Sequence, residues 1–76
     1  MKEIRLLLNS FDKVNSFVSA VSGVPGELDL LQSRYVVNAK SSLGIYSLDL
    51  TSPLLLRIHD DSQYERCLKL LSSFLI

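Results

Sequence analysis

The sequence predicts an α+β open-faced β-sandwich, with a four-stranded antiparallel sheet and three helices on one face of it. Two observations predict this fold. Four segments carry apolar residues at alternate positions, which is typical of strands with one buried face, and three carry them at helical spacing. Their order along the chain is β-α-β-β-α-β-α, and such one-sided elements bury each other by packing in two layers. The 76 residues suffice for one domain, 1–76.

The first strand and the first helix are predicted near the N-terminus. Residues 2–8 place Ile4, Leu6 and Leu8 on one side of a strand. Asn9 or Ser10 can then cap a helix, because each side chain offers an acceptor to a free backbone N–H group. The apolar stripe of this helix is Phe11, Val14, Phe17, Val18 and Val21, and Gly23 ends the helix.

Three further segments lead to the fourth strand. Residues 27–32 and 35–40 alternate again and are joined by two residues, so we predict a β-hairpin. Ser41 or Ser42 begins a short helix of two turns, in which Ile45 and Leu48 face the core. Residues 51–53 end this helix. The fourth strand is predicted over residues 54–59, where Leu54, Leu56 and Ile58 share one face.

The last helix is predicted from a capping box and a broad apolar stripe. Ser62 and Glu65 have the spacing of a capping box, and Asp60 and Asp61 add negative charge at the helix N-terminus. The stripe consists of Tyr64, Cys67, Leu68, Leu71, Phe74 and Leu75. We therefore expect one long, continuous helix to close the domain.

Composition excludes several functional classes. Eight Lys and Arg balance eight Asp and Glu, so no overall field attracts nucleic acid or an anionic membrane. One cysteine and one histidine cannot supply the four ligands of a structural zinc site, and we expect neither metal nor cofactor. No run approaches the roughly 18 apolar residues of a membrane helix, and the charged start is unlike a signal peptide. We expect a cytoplasmic protein.

The segment from residue 36 to residue 50 contains Lys40-Ser41, Gly44-Ile45 and Ser47-Leu48. In these residues and their spacing it resembles the HPr family, the small phosphocarrier proteins of the bacterial phosphotransferase system, with Ser42 where that family has a bulky apolar residue. The order of strands and helices agrees along the whole chain. The resemblance implies the HPr-like sandwich fold and a bacterial cytoplasmic role that involves protein partners.

The phosphoacceptor of that family has no counterpart here. A phosphocarrier has a Gly-Leu-His-x-Arg-Pro pattern before its first helix, and the matching stretch contains Asn9, Ser10 and Asp12 instead. Phosphoryl transfer needs an imidazole nucleophile and donors for the phosphoryl oxygens, whereas Asp12 repels a phosphoryl group. Ser10 lacks a neighbouring base to activate it. We therefore predict no catalytic residue and no enzyme activity.

Ser41 is the candidate regulatory site. The resemblance implies that a dedicated HPr kinase phosphorylates the matching serine. A phosphate near a helix N-terminus meets free N–H groups and the positive end of the helix dipole, and Lys40 adds a cation. The alternative is that Ser41 only caps the helix, which contributes about 1 kcal/mol.

Leu43 and Tyr46 are the candidate partner-binding residues, together with Lys40. They lie three positions apart on the short helix, opposite its core-facing side, and the matching residues of the family dock partner proteins. The partner implied is an HPr kinase or a transcription regulator, as for the catabolite-repression HPr, which lacks the acceptor histidine. The alternative is that these residues simply cover a thin core.

Three functional hypotheses follow. In the first, the chain is a non-catalytic regulatory or protein-binding module that uses the Ser41 helix surface. In the second, it is a diverged phosphocarrier with Ser10 or His59 as acceptor, although a histidine at a strand end is more often an ordinary surface residue. In the third, it is a structural or oligomer-forming domain, which the hydrophobic content of 47% favours. The oligomeric state stays open.

Overall fold

The computed structural model describes all residues, 1–76, and contains four strands and three α-helices. Two short 3₁₀ turns flank the last helix. In chain order the elements are β1 (Lys2–Leu6), α1 (Phe11–Val21), β2 (Leu28–Gln32), β3 (Tyr35–Asn38), α2 (Ser42–Ile45), β4 (Leu54–Ile58) and α3 (Tyr64–Leu70). The predicted order β-α-β-β-α-β-α is confirmed. None of the helices has the length and apolar character needed to cross a membrane.

The four strands form one antiparallel sheet in the order β1-β4-β2-β3. In register, Ile4 lies opposite Leu56, which in turn lies opposite Leu30 of β2. Because side chains alternate along a strand, this row and its neighbours face one side of the sheet. That side carries the helices, so the predicted open-faced sandwich is confirmed.

The core lies between the sheet and the helices and contains only apolar residues. Its sheet side consists of Ile4, Leu6, Leu28, Leu30, Leu54, Leu56 and Ile58. Helix α1 contributes Val14, Phe17 and Val21, helix α3 contributes Cys67, and Leu71 and Phe74 follow α3. The rings of Phe17 and Phe74 meet edge to face at 5.9 Å, which joins α1 to the C-terminal segment.

Some strand and helix ends differ from the prediction. β1 ends at Leu6 instead of residue 8, and β3 ends at Asn38 instead of residue 40. The reason at β3 is that the Asn38 side chain accepts the backbone N–H of Lys40 at 2.9 Å and turns the chain away from the sheet. Helix α2 has one turn instead of two, although Ile45 and Leu48 are buried as expected.

The prediction of a capping box and a long last helix is wrong. Ser62 caps no helix; Asp60 caps the 3₁₀ turn Asp61–Gln63, because its carboxylate accepts the backbone N–H and the hydroxyl of Ser62 at 3.0 and 2.6 Å, and α3 has no side-chain cap. A 3₁₀ turn follows, and α3 then has only seven residues. After a second 3₁₀ turn, Leu75 forms a bridge to Leu6 of β1, so the chain is extended where a helix was expected.

Candidate functional site

Ser41 caps α2. Its hydroxyl oxygen accepts the backbone N–H of Gly44 at 3.2 Å, and its own N–H donates to the carbonyl of Asn38 at 3.0 Å. The side chain is half-buried, and Ser42 is the first helical residue. The geometry therefore assigns the capping role to Ser41, which is one of the two roles considered from the sequence. It leaves the second role, phosphorylation, untested.

Gly44 lets α2 lie close to β3. A Cβ atom at this position would be 3.3 Å from the Cβ of Val37 and 3.5 Å from the Oγ of Ser41. A side chain here would therefore push the helix away from the sheet, which explains why glycine fits this position. The close approach fixes the orientation of the outer side of α2.

Lys40 does not point at the Ser41 surface. Its ammonium group donates to the backbone carbonyls of Val24 and Gly26, at 2.6 and 3.2 Å, in the connection between α1 and β2. Carbonyl acceptors satisfy a charged donor well when little water reaches them. In this structure the ammonium group therefore ties two segments together, and the partner-binding role of Lys40 stays a prediction.

The outer side of α2 carries exposed apolar residues, as predicted for Leu43 and Tyr46. Leu43 is 83% exposed and Tyr46 is 38% exposed. The Tyr46 hydroxyl donates to Oδ1 of Asn15 at 3.1 Å, which holds the ring against α1. Tyr46 is thus held between α1 and α2, and Leu43 lies three positions before it on the outer side of α2.

Phe11 extends this surface. Its ring meets that of Tyr46 edge to face, with centroids 5.2 Å apart, and Phe11 is 69% exposed. The two rings line a shallow depression of about 440 Å³. We call Phe11, Leu43 and Tyr46 the aromatic patch. Phe11 therefore departs from the apolar stripe predicted for α1, because this first helical residue follows the cap directly and its ring packs on Tyr46.

The position of the missing phosphoacceptor carries no nucleophile with a base. Ser10 caps α1, and its hydroxyl accepts the backbone N–H of Lys13 at 3.2 Å. Asn9 and Asp12 are exposed, and Asp12 lies in the first turn of α1, where a carboxylate is favoured by the helix dipole. The cap assigned to Asn9 or Ser10 is therefore Ser10. The only side-chain hydrogen bond of the Ser10 hydroxyl is this cap, so no general base is bonded to it.

The single histidine lies elsewhere. His59 follows the end of β4, whereas Ser10 leads on from the end of the antiparallel neighbour β1, so the two leave opposite ends of the sheet. Nε2 of His59 lies 2.7 Å from Oδ2 of Asp29, and its backbone N–H donates to Glu27. This pairing explains the residue as part of the sheet surface, apart from the aromatic patch.

Cys67 and the carboxylates form no further site. The Cys67 side chain is buried, and burial raises the pKa of its thiol above the ordinary 9.0. No three residues of His, Cys, Asp or Glu lie close enough together to hold a metal ion. The surface around α2 is therefore the principal candidate for function.

No family model and no curated protein matches the chain in sequence. Among solved structures it is similar to the crystal structure of HPr-C-His from Thermoanaerobacter tengcongensis, with a TM-score of 0.80 and 25% sequence identity. The match covers 96% of this chain and 89% of that chain. The expected relationship is thus supported at the level of structure over nearly the whole length. We conclude that this chain has the HPr-like fold.

Proposed function

We propose that this protein is a non-catalytic, protein-binding module of the HPr type, which binds a partner through the aromatic patch and is regulated at Ser41. The observation that carries the proposal is the exposure of Phe11, Leu43 and Tyr46 next to a serine in the spacing of the HPr regulatory site.

The aromatic patch has the composition of an interface centre. Phenylalanine, tyrosine and leucine provide a large apolar area, and the tyrosine hydroxyl adds a polar tip. The Phe11–Tyr46 contact and the hydrogen bond to Asn15 restrict these rings before binding, so little side-chain entropy is lost on association. A monomer of this size gains nothing from exposing these groups together, which favours a docking role.

Ser41 lies two positions before Leu43 and within the same turn. A phosphoryl group there would add about −1.5 to −2 charges beside an apolar surface. Its oxygens could accept backbone N–H groups at the start of α2, including that of Gly44, which the hydroxyl already accepts. Phosphorylation would therefore change the charge of the docking surface without requiring a new backbone conformation. The kinase and the regulated partner would both be proteins.

The HPr-like fold is compatible with the phosphocarrier alternative, but two observations on the candidate acceptors weigh against it. Ser10 is used as a helix cap, and His59 is paired with Asp29 at a different end of the sheet. Transfer from a phosphohistidine donor would need a nucleophile on the docking surface. We therefore favour a module that binds the proteins of such a system without carrying a phosphoryl group.

A titration of the ¹⁵N-labelled protein with a purified bacterial HPr kinase tests the proposal by NMR. We expect shifts at Phe11, Leu43 and Tyr46, and at least tenfold weaker binding for the double variant Leu43→Ser, Tyr46→Ser, because apolar contacts are lost. Leu70→Ser is the matched control, since Leu70 is 43% exposed but lies on α3. Equal loss in the control, or shifts confined to other surfaces, would contradict the proposal.

A further inference from the structure

The two edges of the sheet are closed to different degrees. At β1, the C-terminal segment covers the edge: Leu75 bridges Leu6, the N–H of Leu7 donates to Phe74 at 2.9 Å, and the N–H of Ile76 reaches Arg5 at 3.4 Å. At the opposite edge, β3 pairs with β2 on one side only. The fold thus protects one edge and leaves the other open.

The outer side of β3 presents backbone groups without partners. Tyr35 lies opposite Gln32 across a two-residue turn, Val37 lies opposite Leu30, and the N–H of Ala39 donates to Leu28. The direction of the backbone N–H and C=O groups alternates along an antiparallel strand. The backbone groups of Tyr35, Val37 and Ala39 therefore face β2, and the N–H and C=O of Val36 face outward. Val36 therefore offers a free donor and a free acceptor at the centre of the edge.

The strand is short, but it lacks three other features that protect an edge, namely charge, proline and a bulge. Its sequence, Tyr35–Asn38, contains no charge and no proline, and it has no bulge against β2. Tyr35 and Val36 are each 58% exposed. Edge strands of this kind pair readily with another strand.

We propose that β3 pairs with β3 of a second copy of the chain, antiparallel, with Val36 opposite Val36. This register lets the two valines exchange N–H···O=C bonds. It places Tyr35 opposite Val37 of the second copy, an aromatic and β-branched pair that stabilises sheets. It also places Arg34 opposite the neutral Asn38.

The end of β3 selects this register over its neighbour. A shift of two residues would place Val36 opposite Asn38 of the second copy, whose carbonyl already accepts the N–H of Ser41 at 3.0 Å, and would leave Arg34 without a strand residue opposite it. A shift of one residue would place Val36 opposite Val37 of the second copy. The backbone N–H and C=O of Val37 face β2, so they could not pair with those of Val36. The net charge of zero means that two copies do not repel each other as a whole.

The open face of the sheet continues across the proposed junction. Leu55, Leu31 and Val36 form one row across β4, β2 and β3. Pairing through Val36 would join this row to its copy and cover both exposed valines. Two charge pairs lie on this face, since Arg57 contacts Glu3 at 3.0 Å and His59 contacts Asp29. The remaining charge of the row, Arg5, lies on β1 at the opposite edge of the sheet and is not part of the junction.

The junction is short, so the dimer is weak. Four strand residues per copy bury less than the roughly 1,200 Å² of a standard stable interface. We therefore expect dissociation constants between about 10 µM and about 1 mM. The inference is independent of the proposed function, because its readout requires no kinase and no change at the aromatic patch.

Sedimentation of the full chain across that concentration range tests the inference, with Val36→Pro, Val36→Lys and Val36→Thr. Proline removes an N–H that β2 does not use, and lysine places a charge at the junction. We expect the wild type and Val36→Thr to approach the mass of a dimer. Val36→Pro and Val36→Lys should stay monomeric while their circular dichroism spectra show that they are folded. Amide exchange at Val36 should slow severalfold with concentration in the wild type.

Two results would overturn the inference. One is a wild type that remains monomeric throughout the range with no change in exchange at Val36. The other is a dimer that survives in both Val36→Pro and Val36→Lys, because such a dimer would use a different surface. Having two blocking variants keeps the test valid if one of them fails to fold.

Discussion

Replacing Lys40 with methionine tests whether this residue holds the fold together. Methionine keeps an unbranched stem of similar length but removes the ammonium group that donates to the carbonyls of Val24 and Gly26. Val24 is a buried residue, so its carbonyl loses a partner in a site with little water.

The expected loss follows from these two contacts. Hydrogen bonds to charged groups contribute about 1.5–3 kcal/mol, and the more exposed contact with Gly26 contributes little. We expect Lys40→Met to lower the free energy of unfolding by about 2 kcal/mol. A domain of this size has about 4–11 kcal/mol in total, so the variant should still fold.

Urea unfolding followed by circular dichroism measures the change. With a slope of about 1 kcal/mol per molar, the midpoint should fall by about 2 M at unchanged slope, and the melting temperature by about 8–16 °C. Lys69→Met is the matched control, because Lys69 is exposed on α3 and forms no ion pair or hydrogen bond; its change should stay within about 0.5 kcal/mol. Equal effects of the two substitutions would refute the assignment of Lys40.

Three further predictions concern a turn and two ionisable groups. Ser33 has a φ of 54°, a region that glycine adopts freely. Ser33→Gly should therefore raise the free energy of unfolding by about 0.5–1 kcal/mol in the urea assay. A lower free energy of unfolding would contradict the turn geometry. The Cys67 thiol is buried and its pKa is raised. At pH 8 it should react with a thiol reagent about a hundredfold or more slowly in the native protein than in the urea-unfolded protein. A fast reaction of the native protein would contradict the burial of Cys67. The hydroxyl of Thr51, followed by its backbone N–H, holds the pKa of Asp49 below 3.8. The Asp49 carboxylate therefore stabilises the fold at pH values above 3.8, and this effect is lost as the pH falls through its lowered pKa. In that acidic range the free energy of unfolding of Asp49→Asn should depend less on pH than that of the wild type.

The sheet was predictable from the sequence because its signal is local. Ile4 and Leu6, like Leu54 and Leu56, alternate with polar or half-exposed neighbours, and that period alone determines which face is buried. The hairpin followed from two such runs and a two-residue gap. Ser10 and Ser41 were recognisable as caps because each side chain precedes a helical stripe.

The errors arose where tertiary contacts compete with local patterns. The apolar residues after Leu70 suited one long helix, but Leu75 pairs with β1 and Phe74 packs on Phe17, so the helix ends early. Lys40 looked like a cation for Ser41 because the two are adjacent, whereas its long side chain reaches carbonyls of another connection. Sequence spacing contains no information about such distant acceptors.

Phe11 is the residue of the aromatic patch that sequence reasoning misassigned. Its spacing to Val14 fits the apolar stripe, yet it is the first helical residue and lies beside Tyr46 instead of the core. Its place directly after the Ser10 cap is the one signal that could have indicated exposure. The exposure of three apolar side chains together became visible only once α1 and α2 were positioned.

Intact mass after incubation with each of two phosphoryl donors is the measurement that tests the central claim most directly. One reaction contains a bacterial HPr kinase and ATP, and the other contains the general phosphotransferase enzyme and phosphoenolpyruvate. We predict one added phosphoryl group in the first reaction, absent in Ser41→Ala, and none in the second. Acid-labile phosphate from phosphoenolpyruvate, or an unchanged mass with the kinase, would contradict a serine-regulated module without a phosphocarrier reaction.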